Sequence, residues 1–241
     1  MLKIGHRGAP VYAPENTLRS FKKALEMGVD SVEFDIRRTK DDVLVVLHDA
    51  TLERTTNGAG FLRDRTLQEV RVLDAGEGER VPTLAEALEF LKGKTRVTIE
   101  LKERDCVPRL RAALHTAGPW NAADVMFLAF DEKNPEASDS AWADLAELKN
   151  IYPQFCTALL FTPRKMMESG LSVAQICETA VAMKADALAP WSKMVTKEMI
   201  DLVHAYRLKI FTWVVDSRSD AVLLGSWGID GIASNDPATL I

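Results

Sequence analysis

Cysteine is scarce in this chain, and long apolar runs are missing. The three cysteines, Cys106, Cys156 and Cys177, are far apart and show neither a CxxC pair nor the spacing of a zinc site. We therefore expect buried free thiols in a reducing compartment, and we predict a cytoplasmic protein. The first residues run directly into polar His6 and Arg7, which is too short a stretch for a signal peptide, and no later run is long enough to cross a bilayer.

An excess of basic residues is also lacking. The 241 residues include 30 Lys and Arg against 35 Asp and Glu, a net charge of −5. This balance argues against nucleic acid or an anionic membrane as the main partner, although local basic groups can still bind a phosphate. A chain that is 47% hydrophobic and 27% charged has ample material for a core. We expect one domain over 1–241, and the oligomeric state stays open.

The second predicted strand alternates apolar Val32, Phe34 and Ile36 with acidic and basic residues, among them Glu33 and Asp35. Side chains of a strand point to opposite faces with period two, so the two acids share one face. Adjacent carboxylates repel each other and resist burial unless positive charge lies between them, which implies a metal ion or a basic group. The common alternative is a half-exposed strand with a wet acidic face.

Strand and helix alternate along the chain in about eight units, which predicts an α/β fold, a TIM (β/α)₈ barrel. The irregular stretch 50–81 interrupts this rhythm and is predicted to be a small insertion after the second strand, near the barrel mouth. No Gly-x-Gly-x-x-Gly follows the first strand, which disfavours the alternative of a doubly wound open sheet. Strands are predicted at 2–5, twice within 31–47, and at 96–102, 125–130, 156–161, 187–189, 209–214 and 231–233, with helices between them, including one over 135–148.

Polar residues stand where these predicted strands end, and the chemistry of such a barrel lies at the carboxyl ends of its strands. A cluster whose donors are all oxygen suits a hard cation, Mg²⁺ or Ca²⁺, better than zinc. Two cations can bind an anion such as phosphate. Two imidazoles can give and take a proton near neutral pH. The residues are Glu33, Asp35 and Glu100 (carboxylates), Arg7 and Lys102 (cations), His6 and His48 (imidazoles), and Trp213.

An ordered set of short motifs covers the first hundred residues. The motifs are His6-Arg7-Gly8, Pro14-Glu15-Asn16-Thr17, Glu33-Phe34-Asp35, Thr39-Lys40-Asp41, His48-Asp49-x-x-Leu52-x-Arg54-Thr55-Thr56-Asn57-Gly58, Pro82-Thr83-Leu84 and Glu100-Leu101-Lys102. Each motif alone is weak, but the ordered set is highly specific and resembles the glycerophosphodiester phosphodiesterase family of the bacterial cytoplasmic type. The weaker matches Thr212-Trp213 and Gly228-Ile229-Asp230-Gly231-Ile232 extend the resemblance toward the end of the chain.

The resemblance implies a TIM barrel that hydrolyses glycerophosphodiesters, the deacylated phospholipids, to sn-glycerol 3-phosphate and an alcohol. It implies one divalent cation, Mg²⁺ or Ca²⁺, on Glu33, Asp35 and Glu100, and phosphate contacts from the two cations above. His6 and His48 are then an acid–base pair. The glycerol 2-hydroxyl attacks phosphorus, one histidine takes its proton, and the other protonates the departing alcohol. Water then opens the cyclic phosphate, and the order of the two histidines stays open.

Two other functions remain possible at this point. A lipid-directed member of the same fold would act on phospholipids, and a binding protein would keep the pocket without turnover. The intact histidines and carboxylates argue against the binding protein. In the insertion, Leu67, Val70 and Leu73 recur at helical spacing and are predicted to pack on the barrel rather than to face a membrane. We therefore expect a small water-soluble substrate and neither a membrane nor a nucleic-acid partner.

Several residues near the site carry two interpretations. Glu15 either orients a neighbouring group or is an acid favoured by a helix N-terminus. Asp49 is expected to orient a neighbour rather than to touch metal, and Trp213 forms either a substrate wall or plain core. Asn16 or Thr17 is expected to cap the first helix, with Asn16 more a cap than a substrate contact, and Asp216 is interpreted as a cap of a later helix.

The chain departs from the family pattern in two places near its end. After Trp213 the residues Val-Val-Asp stand where many members have a Thr-Val-Asn-like run, which places an aspartate at 216. The run Ser234-Asn235-Asp236-Pro237 stands where Thr-Asp-x-Pro is more usual. We expect these departures to affect substrate preference more than the chemistry.

Overall fold

Eight parallel strands close into a barrel, as the strand–helix rhythm predicts. The computed structural model describes residues 1–118, 120–130 and 141–240. The strands are β1 Leu2–Gly5, β2 Ser31–Arg38, β3 Leu44–Val46, β4 Arg96–Leu101, β5 Val125–Phe130, β6 Cys156–Phe161, β7 Ala187–Pro190, β8 Lys209–Thr212 and β9 Gly231–Ser234. Parallel neighbours follow the order β1-β9-β8-β7-β6-β5-β4-β2, and the pairing of β1 with β2 closes the barrel. The short β3 is antiparallel to β2 and lies outside the ring of eight.

The helices surround this barrel. They are α1 Leu18–Glu26, α2 Leu67–Val70, α3 Leu84–Leu91, α4 Val107–Thr116, α5 Trp142–Ile151, α6 Pro163–Ser169, α7 Val173–Ala182, α8 Lys197–Ala205 and α9 Arg218–Ser226. Of the helix predicted over 135–148, residues 135–140 lie outside the described residues, and the described part extends to Ile151. The short α6 was not predicted. The predicted strands 96–102 and 209–214 end earlier than expected, so Lys102 and Trp213 follow their strands rather than belong to them.

The two faces of the barrel strands have different roles. Val32, Phe34 and Ile36 are fully buried in the layer between the strands and the helices. The inward face carries mostly small and apolar residues, among which are Ile4, Met126, Leu128, Ala158, Leu160, Ala187, Ala189, Phe211 and Ala233. Alternation along β2 therefore places its acidic side chains on the barrel interior, as period two predicts. No helix among the described residues is both long and apolar enough to cross a membrane.

The residues 50–81 have a small apolar core of their own. Leu52, Leu62 and Val70 are buried there against Val45 and Leu47 beside β3. Leu67 and Leu73 are half-buried against the same cluster, so the predicted apolar stripe does pack on the protein. That this segment is an insertion into one domain over 1–241 remains an interpretation.

A tight turn after β1 determines where the residues after that strand point. Gly8 has φ +90°, and a Cβ there would lie 2.4 Å from Ser20 Oγ and 2.7 Å from the Ser20 carbonyl carbon. The Ser20 hydroxyl donates to the Arg7 carbonyl oxygen at 3.0 Å and accepts from the Ala9 N–H at 2.8 Å. Ser20 on α1 thus fastens the turn from both sides, and Gly8 leaves room for it.

We expect Gly8→Ala to destabilise the protein through both strain and overlap. The left-handed backbone costs about 1–2 kcal/mol for a residue with a Cβ, and overpacking against Ser20 costs about 1–3 kcal/mol more. Gly28→Ala is the matched control, because Gly28 has φ +73° but no described atom within 4 Å of the added Cβ. Urea unfolding measures the free energy of unfolding of both variants. An equal loss in the two variants would show that overlap with Ser20 does not contribute.

Candidate active site

Three buried carboxylates meet on two neighbouring strands. Glu33 and Asp35 lie on β2, and the parallel register pairs Asp35 with Glu100 on β4. Each side chain offers an oxygen within 4.8 Å of the others, and all three residues are buried. An all-oxygen set of this size matches the ligands of a hard divalent cation.

The electrostatics of the cluster show a shortage of positive charge. Burial, with repulsion from Asp35 and Glu100, raises the pKa of Glu33 well above its usual range. Burial likewise raises the pKa of Glu100 to about 7. Burial opposes ionisation of Asp35 too, but Lys102 and Arg7 outweigh it and lower its pKa to about 2. Asp35 Oδ1 is buried and has no hydrogen-bond partner within the described part of the chain. The residues therefore fit a divalent cation, which would supply the missing charge.

Arg7 brings positive charge from the β1–α1 turn. Its backbone has φ +54°, a conformation that lets its N–H donate to Glu33 Oε2 at 2.9 Å. The guanidinium Nη1 donates to Glu15 Oε1 at 2.8 Å, and Nε lies 3.3 Å from Asp35 Oδ2. Asn16 Nδ2 donates to the same Asp35 oxygen at 2.9 Å. The interpretation of Asn16 as a helix cap is wrong, because Thr17 caps α1 and Asn16 orients Asp35.

Lys102 lies between the carboxylates and a histidine. Its Nζ donates to Glu100 Oε1 at 2.6 Å, lies 3.7 Å from Asp35 Oδ1 and is 3.1 Å from His48 Nε2. The ammonium also lies 5.6 Å from the ring centre of Phe130. An ammonium has no acceptor, so Nζ donates and His48 Nε2 accepts in this arrangement.

The two histidines approach the pocket with the same ring nitrogen. His48 Nδ1 lies 2.6 Å from Asp49 Oδ1, so the hydrogen is on Nδ1 and Nε2 carries the lone pair. His6 Nδ1 lies 2.7 Å from Asn235 Oδ1, and its Nε2 is 4.0 Å from Glu33 Oε2. Burial and then Arg7 lower the pKa of His6 to about 4, and burial lowers the pKa of His48 as well.

Arg54 connects the surroundings of both histidines, and the sequence interpretation assigned it no role. Its guanidinium donates to both carboxylate oxygens of Asp49 and, at 2.8 and 2.9 Å, to both of Glu15. A continuous chain of hydrogen bonds therefore runs from His48 through Asp49, Arg54 and Glu15 to Arg7. Glu15 thus orients neighbouring groups, and Asp49 orients His48. The signal for Arg54 was its place in the motif that begins at His48.

The pocket that these groups line has a second, apolar side. Trp213 lies on that side, its Nε1 donates to the Ala189 carbonyl at 2.9 Å, and its ring meets Phe130 edge-on at 5.3 Å between centres. Asp216 does not cap α9, because Ser217 does. Asp216 instead binds Asn235 and Ser234. The apolar lining consists of Ile4, Met126, Leu128, Phe130, Leu160, Ala189, Phe211, Trp213 and Ala233.

Comparison with known proteins places this arrangement in a family. The profile of the glycerophosphoryl diester phosphodiesterase family matches residues 6–239. The chain belongs to this family. A glycerophosphodiester phosphodiesterase of Caldanaerobacter subterraneus subsp. tengcongensis is 35% identical, and the match covers 100% of this chain and 96% of that protein.

Solved structures agree with this family assignment. A glycerophosphodiester phosphodiesterase of Agrobacterium tumefaciens is 28% identical with a TM-score of 0.79, covering 100% of this chain and 99% of that one. An Oleispira antarctica phosphodiesterase, solved in complex with the product sn-glycerol-3-phosphate, is 25% identical with a TM-score of 0.84, covering 98% of this chain and 94% of that one. Family and relatives thus indicate a glycerophosphodiester phosphodiesterase and confirm the predicted TIM barrel.

We expect one divalent cation to bind at the three carboxylates of this phosphodiesterase. Titration calorimetry with Mg²⁺ and with Ca²⁺ should show one site, and Glu100→Gln should weaken binding by roughly tenfold or more because an anionic ligand is lost. Glu103→Gln is the matched control, since Glu103 pairs with Arg37 and Arg38 instead. Unchanged affinity in the Glu100 variant would place the cation elsewhere.

Proposed function

We propose that the protein is a metal-dependent enzyme that hydrolyses glycerophosphodiesters to sn-glycerol 3-phosphate and an alcohol. The observation that carries the proposal is one cluster of three carboxylates with two cations and two histidines around it, the histidines both presenting Nε2 to the pocket beside the cluster. The product complex of the Oleispira antarctica relative supports the same substrate class.

In this proposal Glu33, Asp35 and Glu100 hold one Mg²⁺ or Ca²⁺ ion. A divalent cation there stabilises the negative charge that builds up on the phosphoryl group. Arg7 and Lys102 extend the positive region on either side of Asp35 and donate to phosphate oxygens. Trp213 forms part of the wall against which the substrate packs.

The two histidines move the protons. The 2-hydroxyl oxygen of the glycerol attacks phosphorus, and its proton passes to Nε2 of one histidine. The bond from phosphorus to the alcohol oxygen breaks, and the other histidine, protonated beforehand, gives that oxygen its proton. In the second half, water attacks the phosphorus of the cyclic phosphate and gives its proton to the histidine that acted first as acid. The bond from phosphorus to the glycerol 2-oxygen breaks, and the other histidine returns its proton to that oxygen, so each histidine regains its starting state.

The predicted cytoplasmic location and the soluble substrate belong to the same proposal. Cys106, Cys156 and Cys177 are unpaired in the part of the chain that the structure describes. Burial raises the pKa of the first two to about 12 and that of Cys177 to about 11, so these thiols are poor nucleophiles and poor sites of oxidation.

We expect turnover of deacylated glycerophosphodiesters and little turnover of lipids. Release of the alcohol measures the rates on glycerophosphocholine, glycerophosphoethanolamine and lyso-phosphatidylcholine, and liposome flotation measures binding to vesicles. Faster cleavage of the lyso-lipid, or co-flotation with vesicles, would favour the lipid-directed alternative.

The two histidines make a further prediction. His6→Ala and His48→Ala should each lower kcat by roughly a hundredfold or more.

The proposed cyclic intermediate makes a separate prediction. A substrate analogue that lacks the glycerol 2-hydroxyl should bind but not react. Such an analogue has no other nucleophile that is held as close to phosphorus as this hydroxyl. Competition against glycerophosphocholine measures binding, and alcohol release measures reaction. Hydrolysis of the analogue at a comparable rate would show that water attacks first.

A further inference from the structure

The partner of His6 differs in kind from the partner of His48. His48 Nδ1 faces the Asp49 carboxylate, whereas His6 Nδ1 faces the side-chain amide of Asn235. An amide group can present either an oxygen or an NH₂ group, so by itself it does not determine which ring nitrogen carries the hydrogen.

Asp216 removes this ambiguity. Its Oδ2 accepts from Asn235 Nδ2 at 2.8 Å, and its Oδ1 accepts from the Asn235 backbone N–H at 2.7 Å and from the Ser234 hydroxyl at 2.9 Å. A carboxylate can only accept, so the NH₂ group of Asn235 must face Asp216 and its oxygen must face His6. The His6 hydrogen is then on Nδ1, and the Nε2 lone pair faces the carboxylate cluster.

The two side chains could exchange places without loss of a hydrogen bond. With asparagine at 216 and aspartate at 235, the amide oxygen at 216 would accept from the 235 N–H and from Ser234, and its NH₂ group would donate to the carboxylate at 235. That carboxylate would accept from His6 Nδ1. The exchange reverses only the bond between the two residues, and it moves the negative charge to the residue that touches His6.

Resting on the function proposed above, we propose that Asp216 and Asn235 are a coupled positioning pair for His6. The pair holds the ring with the hydrogen on Nδ1 and the lone pair on Nε2. Neither residue lines the pocket described above, so both act through the orientation of the imidazole.

Single substitutions should break the pair in predictable ways. In Asp216→Asn, the oxygen of the new amide still accepts from the Asn235 backbone N–H and from the Ser234 hydroxyl. Its NH₂ group then faces the side-chain NH₂ group of Asn235, and two donors meet. Asn235 then turns over, and its NH₂ group forces His6 Nδ1 to accept. In Asn235→Asp, two carboxylates lie in contact and repel each other.

The test is a double-mutant cycle on glycerophosphocholine hydrolysis. We expect Asp216→Asn and Asn235→Asp each to lower kcat on the order of ten- to a hundredfold, as loss of a histidine's orienting partner does, with KM nearly unchanged. The double variant D216N/N235D should recover most of kcat. Asp201→Asn, which removes an exposed charge on α8, should leave both constants unchanged. Wild-type kcat in D216N, or a double variant no faster than the singles, would overturn the pair.

A spectroscopic measurement on the wild type tests the pair directly, without relying on turnover or on the folding of a variant. Nitrogen-15 NMR of the histidine rings, with His6 assigned from the His6→Gln spectrum, should show hydrogen on Nδ1 in the wild type and in D216N/N235D. A wild-type His6 with its hydrogen on Nε2 would refute the pair, whatever the activity. Absence of turnover in a wild type with the expected ring spectrum would instead refute the proposed function alone.

Discussion

The repulsion among three buried carboxylates is the constraint on which the rest of this site depends. Period two along β2 and the parallel register with β4 place Glu33, Asp35 and Glu100 together in a water-poor interior. Such a group cannot remain ionised unless positive charge surrounds it. Arg7 and Lys102 supply part of that charge. The tight β1–α1 turn and the position of Lys102 directly after β4 bring these two cations to the cluster.

The parts of the site that follow from local patterning could be predicted from sequence. The shared face of Glu33 and Asp35 is decided within a few residues of chain, whereas the strands predicted at 96–102 and 209–214 end earlier than predicted. The contact between Asp216 and Asn235 could not be predicted in this way, because it depends on how two loops meet across β8, β9 and β1. Capping preferences suggested roles for Asn16 and Asp216 that hydrogen bonding to tertiary partners overrode.

The hydrogen bonds that hold the two histidines differ in charge. On the His48 side, an arginine holds two acids with four charged hydrogen bonds, so the orientation is secured by ionic contacts. On the His6 side, one charge acts through a neutral amide. The imidazoles thus have the same orientation toward the pocket but different electrostatic surroundings, an asymmetry that fits the opposite acid and base roles of the proposed mechanism.

The closure of the barrel between β1 and β9 has a consequence for the order of folding. His6 follows β1, whereas the amide that faces its ring follows β9, and the two residues are 229 positions apart in sequence. A contact between residues so far apart forms only when β1 and β9 pair, because closing so long a loop has a large entropic cost. We therefore expect His6 to gain its fixed orientation only when the barrel closes, and a folding intermediate with this seam open to lack it.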